Sequence, residues 1–558
     1  MDKLDINTCI SCPVNIYPGS PKAFELARYW LMTCESKHKC SLWASPQVMP
    51  RMLLRVGGLQ SPNKVNLVQT PGMKERYIAL SYCWGSYFQK TILTEGNKSK
   101  LLDGIELSSF DSTIQDAIRV TRELGFDFLW IDALCIPQDS VDEKALEIAR
   151  MAEIYENATL TIIASRASSV KEGFLSNRRP AGEADPKHVF QLAYENHKHH
   201  GAEDQAILML DELDEPEPWD RRAWTLQEHL LSKRILQYGT RQTKWTCHGS
   251  KKPFEACDGW VRGKGHAYKV LADKELFDEV SRKMKKTKGT ANEARWQWYD
   301  LVRVYSARFL TYKTDRLRAI SCFARKFSSI FDDQYVCGHW KAFLPHELLW
   351  YPNSNRTLTF APGPKLQPSW SWASYEGGVT IRGKYTQTHV DDDFQVLESQ
   401  VELESSHDPF GAVKTAFLKV RGLIRDVDSE CDSANGEGSA QVASDGSSAR
   451  DPDSASFEQF LETSFDDEIN DSSDHPPTLS LLIIGYYLSC QGARENSGLI
   501  LISHGEERYS RIGTFSMRNI WATSLQAIDP THRSEEEYRA RLRQLWGGEE
   551  NIRQITLI

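Results

Sequence analysis

The chain has 558 residues and a net charge of −9, too long for one ordinary domain, so two or three units are expected. No basic stripe interleaved with aromatics is present, which excludes a nucleic-acid binder. The apolar run LSLLIIGYYLSC (479–490) is too short to span a bilayer and reads as a strand. MDKLDINTCISC has no basic start followed by an apolar core, so no secretory leader is read, and the twelve cysteines are expected as reduced thiols in the cytoplasm.

Residues 1–50 carry Cys9-x-x-Cys12, then Cys34, His38 and Cys40, with a helical stretch around Ala23–Met32 between the halves. Zinc takes four sulfur or nitrogen ligands in a tetrahedron, and these five residues are the candidate set. The competing reading is of small buried thiols and a surface histidine. RMLLRV (51–56) is a strand-like lead-in. From Tyr77 to Ser165 the pattern turns regular. YIALSYCWG (77–85) reads as a strand that stops at a glycine, and Ile114, Ala117, Ile118 and Leu124 share one face of a helix at 112–124. FDFLWIDALC (126–135) is a second strand, broken at Pro137. Ala145, Ile148, Ala149, Ala152 and Tyr155 line a second helix, and TLTIIAS (159–165) is a third strand. Ser112 with Gln115, and Ser140 with Glu143, are spaced as capping boxes. Strands too apolar to alternate, separated by amphipathic helices, predict a βαβαβ unit with a parallel sheet covered on both faces.

Beyond Ser165 a Gly- and charge-rich excursion runs through His199 and His200. Trp219, Arg222 and Trp224 then precede Thr225-Leu-Gln-Glu228, again at capping-box spacing, and RILQYG with TKWTCHG (234–249) reads as a hairpin. Two amphipathic helices are expected between 291 and 330, the second with Leu317, Ile320, Ala324 and Phe327 on one stripe. A β-rich region begins at PSWSWAS (368–374), with strands at FLKVRGLI, LLIIGYYL, GLILIS and YSRIGTF and a last helix at 535–546. Between Asp426 and Asp474 fifteen acidic residues face the single Arg450, so residues 427–477 are expected to be an irregular acidic linker.

In a βαβαβ unit, polar chemistry belongs at the carboxyl ends of the strands. Those positions hold Ser81, Tyr82, Cys83, Trp84 and Gly85 after the first strand, and Asp132, Cys135, Gln138 and Asp139 after the second. With these pieces the chain resembles the heterokaryon-incompatibility (HET) domain of filamentous fungi. The match rests on ALSYCWG (79–85), T-I-x-D-A-I (113–118), LWIDALCIPQD (129–139), the series Glu147, Met151, Ile154, Tyr155, Ala158, and RRAWTLQEHLLSKRIL (221–236). YSARFLT (305–311) and DRLRAI (315–320) resemble sequence that follows that core. The organisation so expected is an N-terminal Cys/His segment (1–50), a HET domain (51–250, core 77–165) and a helical segment (251–350). A β-rich region (351–426 and 478–558) follows, interrupted by the acidic linker.

The resemblance implies an α/β, flavodoxin- or TIR-like core and a role in fungal non-self recognition and programmed cell death. It carries two mechanisms. In the first the domain cleaves NAD, as some TIR domains do. The leaving nicotinamide is neutral, so the need is a carboxylate near the ribose and an aromatic plane by the nicotinamide ring. Glu147 is the residue the resemblance carries over for that role, with Trp84 and Tyr82 as aromatics. Against this, helical spacing places Glu147 with Glu143 and Arg150 on a polar face. In the second, the domain is a non-catalytic module acting by self-association or by binding another incompatibility protein; service in another fungal pathway is the remaining alternative. The crevice set is Ser81, Tyr82, Cys83, Trp84, Gly85, Asp132, Cys135, Gln138, Arg222, Trp224 and Glu228. Asp132, inside an apolar run, must pair or hydrogen-bond, with the next turn's amides or with Arg222. A thiol nucleophile at Cys83 or Cys135 lacks a base, since His229 and His248 are distant in sequence. No GxGxxG lies in 77–165, and no P-loop anywhere.

Overall fold

In the computed structural model the described residues are 15–38, 49–57, 62–178, 189–195, 203–209, 216–247, 254–259, 290–353, 367–381, 388–405, 408–427, 461–465, 479–488, 494–518 and 535–558. The chain divides into two units, Met1–Glu279 and Val280–Ile558.

In the first unit, helix α1 (Pro21–Lys37) leads into strands β1 (Met52–Arg55), β2 (Lys64–Gln69) and β3 (Tyr77–Ser81). Then come α2 (Lys98–Asp103), β4 (Ile105–Glu106), α3 (Ser112–Glu123), β5 (Phe128–Trp130), α4 (Asp132–Cys135), α5 (Val141–Asn157) and β6 (Leu160–Ile163). A hairpin, β7 (Val189–Glu195) with β8 (Glu203–Met209), occupies part of the stretch read from sequence as an irregular excursion. The unit continues with α6 (Trp224–Leu231), β9 (Arg234–Tyr238), β10 (Thr243–Cys247) and β11 (Phe254–Cys257).

Nine strands form one sheet in the order β11-β10-β9-β6-β3-β5-β1-β2-β4. The inner four, β9, β6, β3 and β5, are parallel, with Tyr77 opposite Phe128 and Ile78 opposite Leu160. All residues of β3, β5 and β6 are buried, the signature of strands covered on both faces. The cover comes from α3, through Ile114, Ala117 and Ile118, and from α5, through Met151, Ile154 and Tyr155. The predicted βαβαβ unit is therefore present, flanked by antiparallel strands on both sides.

The helix starts differ in detail from the spacing. Ser140 does cap α5, its hydroxyl accepting the Glu143 amide at 3.4 Å. The Ser112–Gln115 box is absent. Asp111 holds the cap position, and the Gln115 side-chain amide turns back to the Phe110 carbonyl at 2.7 Å. β3 must leave the sheet abruptly, and Gly85 permits it with φ of +78°. A Cβ there would also stand 2.4 Å from the Cβ of Ser169. Gly85→Ala is expected to cost about 2 kcal/mol from the left-handed backbone plus the clash, read as a lowered urea midpoint. An unchanged midpoint would refute this account of the turn.

The second unit begins with the helices Thr290–Ser306 and Ser321–Phe331; Leu317, Ile320, Ala324 and Phe327 are all buried, although Leu317 and Ile320 lie in the turn before the second helix rather than on it. Two short ladders pair β12 (Tyr335–Val336) with β13 (His339–Trp340) and β14 (Trp350–Pro352) with β15 (Val379–Ile381). The main sheet contains β16 (Thr388–Val390), β17 (Gln395–Leu403), β18 (Val413–Val427), β19 (Leu461–Phe465), β20 (Leu479–Leu488), β21 (Arg494–Ser503), β22 (Arg508–Arg518) and β23 (Ile552–Leu557). Because β18 pairs with both β23 and β20, the strands β18, β20, β21, β22 and β23 close on themselves as a barrel. Closure removes the exposed edges of an open sheet. The helix Glu535–Leu545 packs Tyr538 and Leu542 against Leu481, Ile500 and Phe515. Residues 461–465 correct one expectation. They lie in the stretch read as an irregular linker, yet they form β19 and pair with β22. The rest of 428–478 lies outside the described residues.

Candidate functional site

Ser81 closes β3 and Asp132 opens α4 just after β5, so both sit at the carboxyl edge of the parallel strands. The turn Pro218–Arg221 and helix α6 complete the surround. The centre is Glu228, almost fully buried in the middle of α6. Its spacing from Thr225 looks like a capping box, but the helix has no side-chain cap. Thr225 instead donates to the carbonyls of Trp219 and Arg222. The Glu228 carboxyl is bonded to the Ser81 hydroxyl and to Tyr155. Ser81 in turn accepts the indole N–H of Trp219 at 2.5 Å.

Donor counting constrains the proton on this acid. Tyr155 has a single O–H, and its oxygen lies 3.1 Å from the Leu80 carbonyl, which can only accept. If the phenol donates there, Glu228 must supply the hydrogen of the Tyr155–Glu228 bond, which requires the protonated acid; if it donates to Glu228 instead, it favours the carboxylate. Electrostatics favour the protonated acid. Burial above all, aided by the Asp132 charge, lifts the Glu228 carboxyl to about 7, although Ser81, Arg222 and Tyr155 pull the other way.

Asp132 forms the second half of the cluster. One oxygen accepts the Trp84 indole N–H at 2.9 Å, the other the Ala133 amide at 2.7 Å, and Tyr82 bonds it as well. Burial raises its carboxyl, and these donors with the Arg222 charge offset part of the rise. Arg222 also anchors the strand exit through the Tyr82 carbonyl at 3.0 Å. Gln138 clamps the turn after β5 through the carbonyls of Asp132 and Ile136, at 3.2 and 2.8 Å.

The structure thus gathers Ser81, Tyr82, Trp84, Asp132, Arg222 and Glu228 from the predicted set into one linked network. Cys83 borders it beside Arg222, its thiol raised by burial. Cys135 sits behind it, its sulfur 3.5 Å from the Ile131 amide and its thiol pushed up by burial to about 12. Neither sulfur is an activated nucleophile. Gly85 serves the turn, and Trp224 begins α6, half-buried. His229 packs edge-on against Trp219, and His248 lies outside the described residues.

Glu147 is placed differently from the solvated polar face that its helical spacing suggests. It is only 3% exposed, so it does not lie on a solvated face. Its polar contacts among the described residues run to Arg51 Nε at 3.2 Å and Arg150 at 3.4 Å. A buried carboxylate held by two guanidiniums is a brace between α5 and the start of β1. Tyr155 and Trp219 are the members that site reading missed. Tyr155 had been counted only as a core position, and Trp219 only as flanking sequence.

A second cluster lies elsewhere in the unit. The ligand atoms of Cys34, His38 and Cys247 all fall within 4.8 Å of one another, a group able to hold a metal. Cys34 and His38 belong to the predicted set, whereas Cys9, Cys12 and Cys40 lie outside the described residues. Cys247 was not in that set.

The family model for heterokaryon incompatibility protein (HET) matches residues 77–228, which begins at β3 and ends at the buried Glu228. The chain is also similar to heterokaryon incompatibility protein 6, OR allele, of Neurospora crassa. The two are 31% identical over 96 residues, covering 16% of this chain and 14% of that protein. No solved structure gives a significant match. Residues 77–228 thus form a HET domain, the part of the chain that the family model covers.

Proposed function

We propose that this chain acts in fungal heterokaryon incompatibility, in the cytoplasm, with its HET domain as an association module that engages another incompatibility protein or a second copy and leads to cell death. The observation that supports a module over an enzyme is where the carboxylates of the core point. Glu147 is engaged by Arg51 and Arg150, Glu228 by Ser81 and Tyr155, and Asp132 by Trp84, Ala133 and Tyr82. Each is turned inward and satisfied by the domain itself. Among the described residues no helix is long and apolar enough to cross a membrane.

One feature favours the second reading, NAD cleavage in a TIR-like core. The parallel strands run β5-β3-β6-β9, which in their own chain order is second, first, third, fourth, the order of flavodoxin-like sheets. Trp84 and Asp132, both half-buried, stand at the carboxyl edge of that sheet, where such folds bind ligands. In this reading Asp132 replaces Glu147 as the carboxylate near the ribose, and Trp84 supplies the aromatic plane.

The deciding experiment incubates the purified full chain with NAD and measures released nicotinamide, with Asp132→Asn and Glu147→Gln alongside. No release is the expected result. Release that Asp132→Asn abolishes would replace the module by the enzyme. For the incompatibility role, heterokaryons between a strain expressing the chain and one expressing a divergent version are expected to arrest. Normal growth of every such pairing would remove that role.

A further inference from the structure

We propose that Cys34, His38 and Cys247 bind one zinc ion that staples helix α1 to the hairpin at the edge of the HET sheet. The inference stands apart from the functional reading above and rests on how α1 and β10 are matched. Four residues along a helix advance about 6.0 Å, and two along a strand about 6.8 Å. On α1, Trp30 and Cys34 are four apart. On β10, Trp245 and Cys247 are two apart and on the same face of the strand. The indoles of Trp30 and Trp245 meet, with ring centroids 6.5 Å apart. One step further along both elements, Cys34 comes opposite Cys247. His38, one more helical turn on, caps α1, and its Nδ1 lies 3.2 Å from the Cys247 sulfur.

The chemistry of the three donors fits zinc. Zn–S bonds of about 2.3 Å and Zn–N bonds of about 2.0 Å place tetrahedral ligand atoms roughly 3.5–3.8 Å apart, within the reach of a cluster whose atoms already lie inside 4.8 Å. Two sulfurs with one imidazole favour zinc over the hard cations magnesium and calcium, which take oxygen. Arg234, buried on β9 directly across from Cys247, points its Nε at the Cys34 sulfur at 3.2 Å. N–H···S bonds of this kind are the usual outer-shell support of a zinc-bound sulfur. These residues supply three of the four corners of the tetrahedron.

The test is metal analysis of the full chain, purified under reducing conditions without a metal-affinity tag. About one zinc per chain is expected, falling by more than fivefold in Cys34→Ser and in Cys247→Ser. Cys257→Ser, on the neighbouring strand β11, is expected to keep its zinc, as is His38→Cys, which preserves a ligand. Because the serine variants could fail to fold, the natural chain carries an independent arm. Cobalt exchanged for zinc should show an intense near-ultraviolet sulfur-to-cobalt charge-transfer band, bleached when zinc is added back. Metal-free protein that takes up neither zinc nor cobalt after reduction would overturn the proposal. So would a Cys34–Cys247 disulfide in protein isolated from the cytoplasm, or full zinc content in both serine variants.

Discussion

Replacing Glu228 by glutamine is expected to stabilise the protein by about 3–4 kcal/mol at pH 8 and by only about 1 kcal/mol at pH 5. The sign follows from proton linkage. In the unfolded chain this carboxyl titrates near 4.3, whereas in the folded domain burial holds it at about 7. Between those values the folded state keeps a proton the unfolded state has lost. Stability is therefore fully present below about 4.3 and is lost as pH rises from there through 7, with a total of about 3–4 kcal/mol. Glutamine mimics the protonated acid. Its amide donates to Tyr155 and its carbonyl accepts from Ser81, and neither step depends on pH. The charged neighbours facing this site, Asp132 and Arg222, are common to both proteins and cancel in the difference. Urea unfolding at both pH values measures it. A stability difference that does not vary with pH would mean that Glu228 is ionised throughout, and the donor count at Tyr155 would need another solution.

How much of this arrangement is legible beforehand depends on how local the cause is. β3, β5 and β6 are written as apolar runs, and α3 and α5 as apolar stripes, because burial on both faces or on one shows within a dozen residues. Ser140 capping α5 is equally local. The centre of the domain is not. Trp219 reaches Ser81 across 138 residues and Glu228 reaches Ser81 across 147, and no periodicity records such a meeting. The Thr225–Glu228 spacing even points the wrong way, since a capping box and a buried acid share the same letters. Glu147 misleads for a related reason. Its neighbours Glu143 and Arg150 mark a polar stripe, but Arg51, almost a hundred residues upstream, supplies the second cation that lets the carboxylate go inward. Cys247 illustrates the converse, because only the pairing of α1 with β10 shows that a thiol in a strand joins a cluster begun in the N-terminal segment. The closed barrel of the second unit was also illegible. Its strands were recognisable singly, but closure depends on β18 finding β20 and β23 at once.

The largest loss of stability is expected from Arg178→Met, about 3–5 kcal/mol. Arg178 is buried and uses its whole guanidinium. It donates to the Asn15 carbonyl at 2.7 Å, the Gly239 carbonyl at 3.2 Å and the Thr243 hydroxyl at 2.8 Å, and it pairs with Asp258 at 3.1 Å. One side chain thereby joins the segment before α1, the turn between β9 and β10, the start of β10 and the residue just after β11. Asp258 is equally committed, accepting the Thr243 amide at 2.5 Å and the Asn15 side chain at 3.2 Å. Methionine fills much of the arginine volume, so the cost comes less from a cavity than from a buried carboxylate deprived of its cation. Asp258→Asn in the same background is then expected to recover part of the loss, because it removes that unpaired charge while keeping the acceptor for Thr243. Urea unfolding followed by tryptophan fluorescence, with Trp245 on β10 as a nearby reporter, gives all four corners of the cycle. If Arg178→Met cost less than about 1 kcal/mol, or if the second substitution simply added its own penalty, the pair would be a marginal contact rather than the clamp on this edge of the sheet.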